Sequence, residues 1–156
     1  MYQTAVRSEN PAKKLLNRYK WLKIECANLH DEIENGFERA TNCAVKLNPM
    51  KTSGGAVAYD RMAEDVCGIV DAKEKLRQYE AELNAVIDDI TGYMRALEDE
   101  RQKTVILLKY IRGKNWVEIQ QEIGYEKTRT LELHGHALLE INRMMQKSGL
   151  KRTKTD

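Results

Sequence analysis

Proline occurs twice, phenylalanine once and glycine nine times in 156 residues. A chain this short of turn formers and aromatics is a poor candidate for a β-sandwich, whose strands draw on β-branched and aromatic residues between frequent turns. No long apolar run exists either. The longest stretch without a charge is Thr52 to Tyr59, eight residues, against the roughly 20 that a membrane helix needs. The opening MYQTAVRSENPAKK lacks the apolar segment of a secretion signal. A soluble, cytoplasmic chain with no membrane partner is the expectation. The three cysteines, Cys26, Cys43 and Cys67, form no C-x-x-C pair, and their odd number argues against a disulfide framework. Cys26 and Cys43 read as small apolar core residues.

Leu, Ala, Glu, Lys and Arg are abundant, and together they favour helix. The formal net charge of +2 conceals an uneven distribution. Residues 1–23 carry six Lys and Arg against one Glu. Residues 24–97 carry eight basic against fourteen acidic side chains, and residues 98–156 twelve against nine. Basic ends around an acidic middle suit either a polyanion partner or ordinary solvated helix faces.

From Pro11 to Leu47 the apolar positions repeat every seven residues along two seams. One is Leu15, Leu22, Leu29, Gly36 and Cys43; the other is Tyr19, Cys26, Ile33, Ala40 and Leu47. Asn10 can cap this helix and Pro11 suits its first turn. Asn48-Pro49 ends it, because the residue before a proline avoids the α region. Ser53-Gly54-Gly55 reads as a turn and lacks the Gly-Lys-Ser/Thr of a phosphate loop. A second repeat follows: Met62, Ile69, Leu76, Leu83, Ile90 and Leu97, interleaved with Val66, Lys73, Glu80, Ile87 and Met94. Sustained 3-4 spacing is the coiled-coil pattern. Folding about residues 54–55 pairs the repeats antiparallel, setting Ile33 by Leu76, Cys26 by Leu83, Leu22 by Ile87 and Leu15 by Met94. Lys73 then faces Gly36 and Glu80 faces Leu29. A further stripe, Ala72, Tyr79, Val86 and Tyr93, is left over. It can pack against the rest of the chain, or it can make a homo-oligomer through the coiled coil.

After Leu97 the heptads stop. A helix is expected from Glu100 to Arg112, capped by Asp99, with Val105, Ile106, Leu108 and Tyr110 in its core and Gly113 at its end. Asn115 can cap a short helix from Trp116 to Ile123 that buries Trp116, Ile119 and Ile123. Gly124-Tyr125 makes a tight turn. A longer helix, about Lys127 to Met145, turns Thr130, Leu133, Ala137 and Ile141 inward. Two helices joined by a short glycine turn, the second basic at its start, form the helix-turn-helix pattern. The expected fold is therefore all-α: a long antiparallel coiled-coil hairpin over 10–97, with its loop at about 48–58, then a helix-turn-helix domain over 98–146 and a basic tail over 147–156.

Residues 101–141, RQKTVILLKYIRGKNWVEIQQEIGYEKTRTLELHGHALLEI, resemble region 4 of bacterial primary-type sigma factors. The stretch is similar also to the C-terminal part of phage-encoded regulators of the ArpU/RinA type. The elements that carry the resemblance are V-I-L-L-K-Y-I at Val105–Ile111, G-K-x-W-x-E-I at Gly113–Ile119, E-I-G-Y at Glu122–Tyr125 and L-H-G-x-A-L at Leu133–Leu138. The resemblance implies major-groove binding by the helix that starts near Lys127, in a bacterial host cell. Carried over position by position, Lys127, Thr128, Arg129 and Glu132 fall where the family contacts bases and phosphates. Arg can read guanine through two parallel hydrogen bonds and Lys supplies phosphate charge. Glu132 can accept from a cytosine amino group or repel phosphates. Gln120 stands where such motifs usually place a small residue.

Lys114 and Asn115, at the start of the preceding helix, are placed to hold the DNA backbone, and His136 to meet solvent or phosphate. His134 and His136 point about 200° apart on a helix and cannot share a metal in the i, i+4 manner; His134 reads as structural. Asp88-Asp89 and Glu98-Asp99 lie on helix surfaces without a partner base, and no nucleophile–base set is readable. The expectation is a non-enzyme with no catalytic residues, no metal and no cofactor, a transcriptional regulator whose partner is double-stranded DNA. RNA polymerase is a further candidate partner. The alternatives are a DNA-packaging protein of the small terminase-subunit type and a structural coiled-coil adaptor without DNA binding.

Overall fold

The computed structural model describes residues 10–46 and 55–152, with side chains described for 10–42 and 59–149. Among them every regular element is helical. The helices are α1 (Pro11–Lys46), α2 (Gly55–Ala96), α3 (Glu100–Ile106), α4 (Trp116–Ile123) and α5 (Lys127–Arg152), and a π-helical turn, Leu107–Ile111, continues α3. No helix among the described residues is long and apolar enough to cross a membrane. The expected loop about 48–58, the seam positions Cys43 and Leu47, and the tail side chains of Lys151, Arg152 and Lys154 lie wholly or in part outside the described residues.

The chain packs as two compact units, one of the stretch 21–84 and one of the described parts of 1–20 and 85–156. In the first unit α1 and α2 run antiparallel. Arg39 Nε lies 3.2 Å from Asp65 Oδ1 and His30 Nε2 3.5 Å from Glu80 Oε1, so partners further back on α1 lie further along α2. The core gathers Cys26, Leu29, Ala72 and Leu76, with Ile33, Tyr79 and Leu83 packed against it. Burial, followed by the charges of Glu80 and Glu25, pushes the Cys26 thiol up, so it stays protonated and behaves as a small apolar side chain. Trp21 closes edge-on upon Tyr79, ring centres 5.4 Å apart.

The buried face of α2 differs from the expected seam. Two interleaved 3-4 repeats share Ile69, Leu76, Leu83 and Ile90. The structure buries the one that adds Ala72, Tyr79 and Val86, all buried or nearly so, and leaves Val66 43% and Ile87 38% exposed. Lys73 and Glu80 are exposed as well. The physical reason is charge. The expected seam contains one lysine and one glutamate, and burying either without a partner costs several kcal/mol; the observed seam has no charged member from Ile69 to Ile90, and Asp65, one heptad before Ala72, is paired with Arg39. The leftover stripe is the inner face, and Ala72 and Tyr79 are packed within the chain. On α1 the seam holds from Tyr19 to Ala40, and Leu15 gives way to Ala12 and Leu16 in the other unit.

In that second unit α3 and α4 pack on α5, and α4 touches the π-turn. Val105, Ile106, Leu108, Tyr110, Ile119, Leu133, Ala137, Leu138 and Ile141 are buried. Asp99 caps α3 by accepting from the Arg101 amide. The continuous α-helix expected to Arg112 instead widens after Ile106: the Arg112 amide reaches Leu107 O, five residues back, and the Lys114 amide reaches Leu108 O. A π-turn adds a residue to the helical turn and re-aims the side chains after it. Here the Tyr110 ring lies against α5, a contact 24 residues away in sequence.

Candidate nucleic-acid interface

Helix α4 is held at both ends. The Asn115 side chain accepts from the Glu118 amide, and the Glu118 carboxylate accepts from the Asn115 amide, a reciprocal box that satisfies two otherwise free donors. Gly124, at φ 71°, ends the helix in the left-handed conformation that only glycine adopts without strain. Helix α5 then begins at Lys127. It runs to Arg152, beyond the expected end near Met145 and through part of the stretch expected as a tail.

The first turns of α5 separate cleanly into an inner and an outer face. Thr130 is fully buried, its hydroxyl donating to Glu126 O at 3.0 Å, and Leu133, Ala137 and Ile141 continue inward. Lys127, Thr128, Arg129, Glu132 and His136 are all exposed on the outside. Leu131 stands among them 40% exposed. Arg129 is not free: its Nη1 lies 3.1 Å from Glu132 Oε2, one turn on.

The backbone-holding residues expected on α4 have other partners as well. The Lys114 ammonium donates to Glu122, and Arg112 Nη1 stands 3.8 Å from the same carboxylate. Asn115 spends its side-chain oxygen on the cap. Glu122, eight residues from Lys114 in sequence, is thus the counter-charge of the turn. Gln120, at the expected close approach of the helices, is half-buried.

Beneath this face lies an aromatic cluster. Tyr110 Oη is 3.0 Å from His134 Nε2 and their rings stack at 5.8 Å. Trp116 meets His134 edge-on at 5.0 Å. Burial, with the charges of Lys13 and Lys109, pulls His134 down from 6.5 to about 4, so the ring is neutral at ordinary pH. Burial raises the Tyr110 hydroxyl. His134 is therefore structural, and His136 points outward.

Among the described residues no group of three or more His, Cys, Asp or Glu could hold a metal ion. No protein-family profile, curated protein or solved structure matches this chain.

Proposed function

We propose that the chain is a sequence-specific DNA-binding transcriptional regulator of phage type: a coiled-coil hairpin joined to a helix-turn-helix end that resembles sigma region 4. The observation that carries the reading is the outer face of α5, where Lys127, Thr128 and Arg129 stand exposed in the first turn of a helix anchored by Thr130 and Leu133. A helix of this kind offers free amides to phosphate and reach to base edges. The α4 cap and the Gly124 turn hold it rigidly, as a reader of base edges requires.

In this reading Arg129 reads a base, and Glu132 fixes its rotamer before DNA arrives. Lys127 supplies phosphate charge. Lys114 is kept on Glu122 and contributes little to phosphate affinity. Self-association would use exposed apolar positions of the long helices, such as Ile24, Phe37, Tyr59, Val66 and Val70.

Binding of Lys127→Ala and Arg129→Ala to a selected site and to random duplex tests this. Lys127→Ala is expected to weaken both duplexes alike. Arg129→Ala is expected to lose about 1–3 kcal/mol on the selected site and relax preference at one position. Equal losses on both duplexes for Arg129→Ala would remove its base-reading role.

A further inference from the structure

In the first two turns of α5 the outward residues are polar except one. Leu131 is 40% exposed, beside Arg129 and Glu132, which are paired with each other at 3.1 Å. Thr130 and Leu133 already fill the inner face, so Leu131 has no inward position to turn to. At about 100° per residue it falls in angle between Lys127 and Thr128, one turn further along the helix. A leucine in a helix leans back toward the residues three and four before it, here Thr128 and Lys127, both exposed.

The outer face therefore has two flanks on either side of Thr128. Arg129 and Glu132 make the polar one. Leu131, with the Thr128 methyl and the apolar stem of Lys127, makes the other. A single exposed leucine on an ordinary surface needs no explanation, but this one stands in the turns that would enter the groove. There its chemistry is restrictive. A leucine side chain neither donates nor accepts a hydrogen bond. Set against a guanine O6, an adenine N7 or a cytosine amino group, it would strip water from a polar atom and give nothing back. The one apolar group on the major-groove edges is the C5-methyl of thymine.

We propose that Leu131, flanked by Thr128, takes a thymine methyl group in the major groove and is a specificity-determining residue of the α5 site. This rests on the DNA-binding reading of α5 and adds a second base to it, read on the flank away from Arg129.

The test uses the duplex selected by the wild-type protein, with each thymine replaced in turn by deoxyuridine, which lacks only that methyl. One replacement is expected to weaken wild-type binding about fourfold, the worth of one buried methyl. Leu131→Ala should lose at least as much on the thymine duplex and be indifferent to the replacement, whereas Arg129→Ala should keep the fourfold response. On random duplex Leu131→Ala should bind as wild type does, with the same salt slope, since no phosphate contact is lost. A selected site in which no thymine can be told from deoxyuridine overturns the assignment, and so does a response that persists in Leu131→Ala. Equal losses by Leu131→Ala on selected and random duplex also overturn it, because they mark damage to α5 instead of a lost base contact. Each of these results leaves the Arg129 reading standing. A wild type that binds every duplex alike, or none, removes the sequence-specific reading of α5, and the role of Leu131 falls with it.

Discussion

Gly36 offers the sharpest test of how α1 meets α2. It is buried, and a Cβ added there would stand 2.7 Å from Ile69 Cγ1 and 3.3 Å from its Cδ1. Two effects of Gly36→Ala oppose each other. Alanine in a helix interior gains about 1 kcal/mol over glycine. Forcing a methyl into a filled space costs about 1–3 kcal/mol. Because the 2.7 Å contact involves a carbon near the branch of Ile69, not its flexible end, the steric term should win, leaving a net loss of about 1 kcal/mol. Ile69→Ala alone should cost about 2–5 kcal/mol, since Ile69 is only 6% exposed. In the double variant the new methyl enters the space that Ile69 leaves, so the two losses should not add. A coupling of about 1–2 kcal/mol in favour of the double variant is expected. Urea unfolding of the four proteins, followed by far-UV ellipticity, measures it. Additivity within about 0.5 kcal/mol would mean that Gly36 and Ile69 do not touch, and the register described for this unit would fall.

Glu132→Gln frees Arg129 and removes a carboxylate from the DNA-facing side; a unit charge several ångströms from a phosphate is worth about 1 kcal/mol at intermediate dielectric, so random-duplex affinity should rise roughly fivefold by that term. Anisotropy titration checks it, and weaker random binding would show Glu132 to be a donor-seeking contact instead. The neutral form of His134 is favoured by folding, its value of about 4 lying below the ordinary 6.5; that stability is whole above 6.5 and is lost as pH falls toward 4, up to about 3 kcal/mol. Urea midpoints of wild type should therefore fall more steeply over that window than those of His134→Gln, and parallel curves would refute the assignment. Val86 is 8% exposed, so Val86→Glu should lower helicity and melting temperature by burying a charge, whereas Val70→Glu, at a 59% exposed position, should leave melting unchanged and act on sedimentation alone.

The helices, their caps and their inner faces are written locally. Asp99, Asn115 and Gly124 each act within four residues, and Thr130, Leu133, Ala137 and Ile141 keep a helical period, so a linear reading finds them. The α2 face was ambiguous because two heptad stripes share Ile69, Leu76, Leu83 and Ile90. Only the cost of burying Lys73 and Glu80 separates them, and weighing that cost would have chosen the other stripe. The π-turn left no trace, since Val105, Ile106, Leu108 and Tyr110 suit either winding and the Tyr110–His134 contact spans 24 residues. Counter-charges were hidden for the same reason: Glu122 meets Lys114 across a turn. The outer residues of α5 were legible as exposed, because exposure follows from the period of the buried ones.

The most direct measurement is the binding of wild-type protein to a labelled random duplex across about 50 to 200 mM salt. Engagement of phosphates by Lys127 and by the α5 amides should give a log–log slope of about −0.9 or steeper, hence a loss of at least about threefold over that range. Absence of binding at the lowest salt with protein at tens of micromolar, or binding indifferent to salt, would contradict the account and leave the chain a helical adaptor.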